Sequence, residues 1–514
     1  MELKPELGSK NKTKNPAACL AILGTGSDVG KSIMTTALCR YFVRQGMRVA
    51  PYKAQNMSNN SGVTAEGLEM GRAQIVQAEA ARIPPHVDMN PILLKPTSEI
   101  GSQVVLLGTV SENTSATDYH QKKERLFDTA AEALQRLRGD YDIVVMEGAG
   151  SCAEVNLMAN DIVNLRMAEY AGAPVILVAD IHRGGVFAQI IGTLECLSPA
   201  QQDLVKGFII NRFRGDIRLF EDGVNWIEHR TGKKVYGVLP WYEHIHIEPE
   251  DSVVIERPAR AFPDRSKTPA IAVVRLPHIS NFNDFDPLLM LEGVEVYFLE
   301  KVQDLSTFKA VILPGSKNTR WDLDWLHTTG WTTKIKNYAD RGGHVLGICG
   351  GYQMMGNQVH DPDGLEGQPG STAGLELLPV ETELKAPKTT TLTAFTWQED
   401  SGSGYEIHMG QTRRLDGAPW FRVQSRNSLK TSDEDGCVVN NFRVMGTYIH
   451  GIFENPKITS RWLNSIGLAD IKTSELEGFD ARDREYDLLS EYFTEHIDAE
   501  SIIEILGLDI HSNA

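Results

Sequence analysis

Cysteine is scarce in this 514-residue sequence, and the few cysteines are scattered. The six residues include no Cys-x-x-Cys pair, the spacing shared by zinc fingers and many redox motifs. A disulfide framework is also disfavoured, because such frameworks are typical of small secreted chains. The sequence therefore predicts a protein of the reducing cytoplasm.

Long hydrophobic runs and an excess of positive charge are missing as well. No apolar stretch approaches the roughly 18 residues that a membrane-spanning helix needs. The first sixteen residues contain no apolar signal core, so we expect a flexible tail over 1–16. Acidic residues outnumber basic ones by 68 to 51, giving a net charge of −17. This balance argues against nucleic acid and anionic membranes as partners, but a local cationic pocket can still bind an acidic small molecule.

Short runs of valine, isoleucine and leucine alternate with segments of helical length. Such runs are typical of strands buried on both faces of a sheet, and the intervening helices indicate a doubly wound parallel α/β domain. The predicted helices include Lys31–Gln45 and Lys122–Arg138. The predicted strands of the first half are Cys19–Gly24, Asp142–Glu147, Ala173–Asp180, Val205–Asn211 and Lys234–Pro240.

A second α/β domain follows a segment rich in charge and proline. We expect a first domain over 17–254, a linker over 255–268, a second domain over 269–458 and a helical tail over 459–514. After about Thr389 the pattern predicts shorter strands of alternating polarity. The strands predicted before that point are Ala270–Leu276, Val294–Leu299, Ala310–Leu313 and His344–Gly347.

A glycine-rich loop, Gly24–Ser32, separates the first predicted strand from the first helix. Its backbone N–H groups can surround phosphate oxygens, Lys31 can contact the β and γ phosphates, and Ser32 can hold Mg²⁺. Thr25 occupies the first glycine position of the usual pattern, so the motif is a variant; the alternative is a turn with a chance Lys-Ser pair. We predict that the nucleotide-binding residues are Gly26, Ser27, Asp28, Val29, Gly30, Lys31, Ser32 and, further along the chain, Asn211.

Polar residues stand where other predicted strands end. Glu147 would lie beside the phosphate loop and could complete the Mg²⁺ site with Ser32, unless it only caps the next helix. Asp180 is a candidate for substrate binding by the same reasoning. Asn211 could read an adenine edge or simply cap a turn.

The segment Pro51–Ser61 combines a lysine with many amide side chains after another strand. A cation and several hydrogen-bond donors suit a substrate that carries carboxylates. A solvated polar loop is the alternative. The predicted substrate-binding residues of this segment are Lys53, Gln55, Asn56 and Ser58.

Cys349 stands in a turn between a predicted strand and a helix, with small neighbours on both sides. This context is typical of a nucleophile elbow, in which a helix N-terminus stabilises a thiolate. The backbone N–H groups of Gly350 and Gly315 are candidate oxyanion donors. His450 is the candidate base, although either residue alone could be an ordinary core residue.

The chain resembles the cobyric acid synthase family, the glutamine-dependent amidotransferases of cobalamin biosynthesis. The resemblance extends from about Ala17 to Phe453. Its first half is similar to dethiobiotin synthetase, and its second half is similar to class I glutamine amidotransferase domains with a flavodoxin-type sheet. The segments that carry it are 53–58, 147–151, 183–188, 211–216, 276–285 and 313–319.

The resemblance implies an ATP- and Mg²⁺-dependent enzyme that takes ammonia from glutamine. Its expected substrate is (adenosyl)cobyrinic acid a,c-diamide, amidated on the b, d, e and g carboxylates, with a homo-oligomer left open. The alternatives are a cobyrinic acid a,c-diamide synthase and a P-loop ATPase switch with an inactive second domain.

Two positions depart from the patterns of the resembled families. Ile452 stands where ordinary class I amidotransferases have the glutamate of a triad, so we expect a Cys349–His450 dyad. Its orienting group is left open, with Glu454 and Glu406 as candidates. His182 stands where the family usually has aspartate.

Overall fold

The computed structural model describes residues 16–96, 101–115, 123–242, 245–248, 268–474 and 478–508, without the side chains of 101 and 112–115. Apart from Pro16 and Thr268, the predicted N-terminal tail and linker lie outside these ranges. The helices of the described part are α1 (Lys31–Arg44), α2 (Arg72–Ala80), α3 (Lys123–Asp140), α4 (Leu165–Ala171), α5 (Val186–Cys196), α6 (Pro199–Leu204), α7 (Glu221–Thr231), α8 (Asp286–Leu289), α9 (Thr319–Thr329), α10 (Trp331–Asp340), α11 (Gly350–Met354), α12 (Pro456–Ser465), α13 (Gly478–His496) and α14 (Ala499–Ile505).

Six parallel strands form the sheet of the first domain, in the order β12-β11-β10-β1-β9-β2. The central strands are buried along almost their whole length, as the continuous apolar runs predict. This confirms the doubly wound parallel arrangement. These strands are β1 (Ala18–Gly24), β2 (Val49–Tyr52), β9 (Ile143–Glu147), β10 (Val175–Asp180), β11 (Val205–Phe213) and β12 (Lys234–Pro240).

An insertion of short strands between β2 and α3 was not predicted from the sequence. It contains a four-stranded sheet in the order β3-β6-β7-β8 and a separate β4–β5 hairpin. Polar side chains on these strands are buried, and Ser61 and Glu69 bond to residues of the second domain, so the usual alternation of polarity is hidden. The strands are β3 (Gln55–Met57), β4 (Ser61–Val63), β5 (Glu69–Gly71), β6 (Ile92–Pro96), β7 (Gly101–Leu106) and β8 (Thr109–Ser115).

The second domain has its own six-stranded sheet, in the order β15-β13-β16-β18-β27-β26. Five strands are parallel, and β26 joins the edge antiparallel to β27. A two-stranded β14–β17 ladder lies near the ends of the sheet strands. The strands are β13 (Ala270–Val274), β14 (Ile279–Ser280), β15 (Glu295–Leu299), β16 (Ala310–Leu313), β17 (Gly315–Ser316), β18 (His344–Ile348), β26 (Cys437–Val439) and β27 (Val444–Thr447).

A seven-stranded sheet accompanies the second domain, and the expectation of shorter strands is wrong for its two longest strands but right for those that follow them. Its two principal strands are 18 and 15 residues long and pair antiparallel. The alternation of polarity predicts strands, but glycine and threonine residues within them resemble turn signals. The strands are β19 (Gln358–Asp361), β20 (Gly370–Ala373), β21 (Val380–Trp397), β22 (Asp400–Arg414), β23 (Phe421–Arg426), β24 (Leu429–Lys430) and β25 (Glu434–Asp435).

The C-terminal segment is helical, as predicted, but its helices pack on both domains. Trp462 of α12 belongs to the hydrophobic core of the second domain. Tyr486 and Phe493 of α13 instead pack into the core of the first domain, beside α1. Within the described ranges, no helix is long and apolar enough to cross a membrane.

Candidate active sites

The phosphate loop lies between β1 and α1. The Lys31 ammonium donates hydrogen bonds to the backbone oxygens of Gly26 (3.0 Å) and Gly150 (2.8 Å). Gly30 has a φ of 102°, a conformation that favours glycine, and α1 starts at the next residue. The loop residues predicted to bind nucleotide therefore lie at a helix start, a position at which backbone N–H groups commonly bind phosphate in proteins.

Glu147 connects the phosphate loop with the predicted substrate segment. One oxygen of its carboxylate, Oε1, accepts hydrogen bonds from Ser32 Oγ and Lys53 Nζ, both at 2.9 Å. The other oxygen accepts from the Gln77 amide on α2. The structure thus brings the two predicted metal ligands together, with a lysine beside them.

Asn211 lies directly against the phosphate loop. Its side-chain amide donates to the backbone oxygen of Val29 (2.9 Å), and its own oxygen accepts from the N–H of Arg212. It therefore holds the loop, while its predicted contact with adenine stays a prediction.

Arg212 joins two carboxylates near this loop. It contacts Asp180 at 3.0 Å and Asp28 at 3.1 Å. Asp180 also accepts from the N–H of His182. The Asp180 carboxylate thus has partners within the chain, and its predicted contact with substrate stays a prediction.

The predicted substrate segment divides into two environments. Lys53, Gln55 and Asn56 line a large cavity that also contains the phosphate loop. Ser58 does not line it; its hydroxyl accepts from the N–H of Asn60 at 3.0 Å. Asn56 donates to Gln74 of α2 at 2.9 Å, so the same helix supports both Asn56 and Glu147.

This cavity has a volume of about 2580 Å³ and extends across the two domains. Residues of the phosphate loop form one end of it. Further lining comes from other segments of the first domain and, on the remaining walls, from the second domain and the C-terminal segment, which include Asn283, Met290, Glu454, Ile471 and Arg482.

Cys349 lies in a strained turn between β18 and α11. Its φ of 51° and ψ of −108° depart from the regions that residues with a side chain prefer. The side chain is buried, and Sγ lies 3.6 Å from the backbone oxygen of Ile407 on β22. This is the geometry expected of a nucleophile elbow.

Both the ring and the backbone of His450 are held in place by neighbouring residues. Its Nδ1 lies 2.7 Å from Asp284 Oδ2, and the N–H of Gly451 donates to the other oxygen of that carboxylate at 2.8 Å. Two backbone hydrogen bonds tie His450 to Tyr405 of β22, whose ring stacks on the imidazole. Because Nδ1 bonds to Asp284, the other ring nitrogen, Nε2, is the one that can bond to the Cys349 sulfur.

The pKa of His450 reflects these neighbours. Burial lowers it, but the Asp284 carboxylate and the Cys349 sulfur outweigh burial and raise it to about 10. A histidine with this pKa is an imidazolium at neutral pH and stabilises an adjacent thiolate. The arrangement is a Cys-His-Asp triad rather than a dyad.

Neither of the two candidates for the orienting group contacts His450. Glu454 forms an ion pair with Arg482 at 2.6 Å, and Glu406 pairs with Arg426 at 2.7 Å. The sequence reasoning missed Asp284. The only signal for it is its position within the segment 276–285, one of those that carry the family resemblance.

The two candidate oxyanion donors lie close together. A Cβ on Gly350 would stand 2.7 Å from the backbone nitrogen of Ser316, and a Cβ on Gly315 would stand 3.1 Å from Cε1 of the His450 ring. Asp322 fixes this strand by accepting hydrogen bonds from Ser316 Oγ and from the N–H of His278. A side chain at Gly350 would collide with the backbone of Ser316, so glycine allows these two segments to approach closely.

Family comparisons match each half of the chain. A family described as CobB/CobQ-like glutamine amidotransferase domain matches residues 270–458. A family described as CobQ/CobB/MinD/ParA nucleotide binding domain matches residues 20–253. The two matches together support ATP and glutamine as substrates.

Similar proteins extend over almost the whole chain. A cobyric acid synthase of Chlorobium phaeobacteroides (strain BS1) is 51% identical over 95% of this chain and 99% of its own length. Those of Chlorobaculum tepidum and Syntrophobacter fumaroxidans are 49% and 46% identical, each covering at least 95% of this chain and 98% of its own. A solved glutamine amidotransferase is 19% identical with a TM-score of 0.30 over 38% of this chain and 98% of its own, too weak a similarity to bear on function. The chain therefore belongs to the cobyric acid synthase family, a family of glutamine-dependent amidotransferases.

Proposed function

We propose that this enzyme converts the b, d, e and g carboxylates of (adenosyl)cobyrinic acid a,c-diamide into amides, using ATP and glutamine. The observation that supports it best is the pairing of two sites on one chain. A phosphate loop opens into a cavity of about 2580 Å³, and a Cys-His-Asp constellation lies in the other domain. The first suits a large acidic substrate, and the second suits release of ammonia.

In the glutaminase site, the Cys349 sulfur attacks the side-chain amide carbon of glutamine. The oxyanion that forms is held by the backbone N–H groups of Gly315 and Gly350. His450 gives its proton to the leaving nitrogen, so ammonia departs and a thioester remains. Water, deprotonated by His450, then releases glutamate and restores the thiol.

In the synthetase site, a substrate carboxylate oxygen attacks the γ-phosphorus of ATP, and ADP leaves. Lys31 stabilises the negative charge on the transferred group. Ammonia attacks the acyl carbon of the resulting acyl phosphate, phosphate leaves, and an amide is formed. This activation is needed because a free carboxylate is a poor electrophile.

We also propose Mg²⁺ as a cofactor, held by Ser32 Oγ and Glu147. These two hard oxygen donors lie 2.9 Å apart at the phosphate end of the cavity, which fits the oxygen preference of this ion. The ion would neutralise phosphate charge. Asn211 would contact the nucleotide, and Lys53, Gln55 and Asn56 would contact the corrinoid carboxylates, with Ser58 and Asp180 supporting them.

The proposal is tested by incubating the purified enzyme with ATP, Mg²⁺, adenosylcobyrinic acid a,c-diamide and either glutamine or an ammonium salt. Mass spectrometry follows the stepwise gain of amides. We expect four amidations with either nitrogen source, and Cys349→Ala should retain only the reaction with ammonium. Amidation of cobyrinic acid at its a and c carboxylates instead would identify the sister activity. Intact ATP hydrolysis and glutaminase activity without amidation would mean that the substrate is wrong.

A further inference from the structure

Five charged side chains surround the small pocket of Cys349, and the mechanism above uses none of them. Lys95, Lys317, Lys388 and Glu366 line the pocket. Glu69 lies behind them and bridges two of the lysines, with Lys95 Nζ at 2.7 Å and Lys388 Nζ at 2.6 Å. Burying so many charges is costly unless they serve a ligand or stabilise each other.

The charges in this cluster do not balance. Three ammonium groups face two carboxylates, so one positive charge is in excess. The side-chain ammonium of Lys317 makes no hydrogen bond or ion pair with any residue in the described ranges. Burial, together with Lys388 and Lys95, lowers its pKa to about 7, which reflects the cost of holding a third cation there. An anion in the pocket would remove this cost.

Glu366 provides a complementary negative group on the same wall. Its carboxylate accepts hydrogen bonds from the N–H groups of Thr319 and Arg320, at 2.7 and 3.4 Å. Lys317 is the cation that acts on it electrostatically. The pocket therefore presents an anion-binding and a cation-binding region a short distance from a nucleophile.

We infer that Lys95, Lys317 and Lys388 bind the α-carboxylate of glutamine, while Glu366 binds its α-ammonium group. A free α-amino acid carries both groups. In glutamine they are bound at one end of the molecule, and the side-chain amide at the other end can reach the thiol. The inference rests on the proposal that Cys349 attacks glutamine, and it identifies the residues that select this substrate.

One of these lysines comes from the other domain. Lys95 lies on β6 of the synthetase domain, and Lys388 lies on β21 of the glutaminase domain, so Glu69 joins them across the interface. Nearby, the N–H of Ser61 donates to Asn281 Oδ1 at 3.0 Å. The glutamine pocket is thus complete only when the two domains are docked, which links ammonia release to the presence of its acceptor site.

The test compares Lys95→Met and Lys317→Met with wild type in the full-length protein. For each variant we expect the KM for glutamine to rise at least about 30-fold. The substitution removes a lysine that pairs with the buried α-carboxylate of glutamine, and losing one partner of such a pair is costly. The glutaminase kcat and the amidation with ammonium should change less than about twofold. Lys385→Met, an exposed position on the same strand as Lys388, is the matched control and should leave all three values unchanged.

A second substrate separates recognition from a structural role. The α-carboxamide of glutamine lacks the carboxylate, and wild type should hydrolyse it at least about 30-fold less efficiently than glutamine. In Lys95→Met and Lys317→Met this preference should largely disappear. An equal loss for both substrates, or an unchanged KM for glutamine, would overturn the inference. Since the Lys317 side chain makes no hydrogen bond within the described ranges, its substitution tests the idea even if Lys95→Met does not fold. Glutaminase activity surviving in Cys349→Ala would instead contradict the proposed function.

Discussion

The two candidate sites of this chain differ most in size. The phosphate-loop cavity has a volume of about 2580 Å³, whereas the pocket beside Cys349 has about 40 Å³. A wide cavity lets one substrate present several carboxylates in turn to a single phosphate-transfer centre. A small pocket, in contrast, suits a single small substrate such as glutamine. The difference in volume thus matches a synthetase site that accepts several carboxylates of one large substrate and a glutaminase site that accepts one small substrate.

The two sites also use buried lysine–glutamate pairs differently. Lys53 contacts Glu147 at 2.9 Å, and Lys53 lines the cavity where phosphate would be transferred. Glu69 contacts Lys95 of its own domain and also Lys388 of the second domain, so this lysine–glutamate cluster joins the two domains. The first pair lies at the site of the chemistry, while the second lies at the interface that completes a pocket. Substitutions at the two sites should therefore have separable effects.

The largest expected effect is at the phosphate loop. Lys31→Met removes the cation that stabilises the transferred phosphoryl group, so amidation should fall by at least about 10³-fold with glutamine and with ammonium alike. Hydrolysis of glutamine should remain measurable. Product analysis by mass spectrometry and a glutamate assay measure the two activities on the same sample.

Cys349→Ala provides the reciprocal variant for that experiment. It should lose only the activities that need glutamine. Amidation by Lys31→Met at the wild-type rate with ammonium would contradict the assignment of the phosphate loop as the synthetase site.

A smaller but selective effect is expected for Asp284→Asn. The variant keeps the shape of the side chain but removes the charge that orients and stabilises the His450 imidazolium. Glutaminase activity should fall by a factor on the order of 10²–10⁴, as for the orienting carboxylate of other triads. Amidation with ammonium should change less than twofold. Glu406→Gln is the control, because Glu406 pairs with Arg426 instead.

The pH dependence of the same variant sharpens the assignment. In wild type the pKa of His450 is raised to about 10, so the imidazolium persists at neutral pH and is lost as the pH rises through that value. Without the Asp284 charge the pKa of His450 should fall, because only the Cys349 sulfur then opposes the effect of burial. Alkylation of the Cys349 peptide by iodoacetamide, followed by mass spectrometry between pH 5 and pH 10, should then slow at neutral pH. An unchanged profile would mean that Asp284 does not act on His450.

These sites were predictable from the sequence to different degrees. Lys31, Ser32, Glu147 and Cys349 stand at strand ends or helix starts, where local sequence indicates the geometry. Asp284 was not predictable, because it meets His450 only through tertiary packing across 166 positions.

The same limit applies to the folding of the inserted strands. Glu69 looks like an ordinary surface residue in the sequence, yet it is buried between lysines of two domains. Periodicity predicts which face of a strand is buried against its own sheet, and it contains no signal for burial by a second domain. The parallel sheets were therefore predictable, and the interface was not.

An intermediate effect is expected where Glu454 connects the domains. Its carboxylate contacts Arg482 at 2.6 Å and Arg72 at 3.6 Å, four residues beyond His450. Glu454→Gln should loosen this connection, and a partly exposed ion pair of about 1 kcal/mol corresponds to about a fivefold change. The ratio of glutamate released to amide formed should rise by up to that factor. A ratio that stays at the wild-type value would show that Glu454 does not couple the sites.

The smallest expected effect concerns stability rather than chemistry. Arg40 of α1 is fully buried and pairs with Asp483 of α13, while Asp487 lies 3.7 Å away. Asp483→Asn leaves the buried cation with a weaker partner, but Asp487 remains, so we expect a loss of about 1–3 kcal/mol in local stability. Faster amide hydrogen exchange in α13 would report it, while both enzymatic activities should persist. Asp480→Asn, an exposed position in the same helix, is the control. If α13 exchanges equally in both variants, the buried pair does not hold this helix to the synthetase domain.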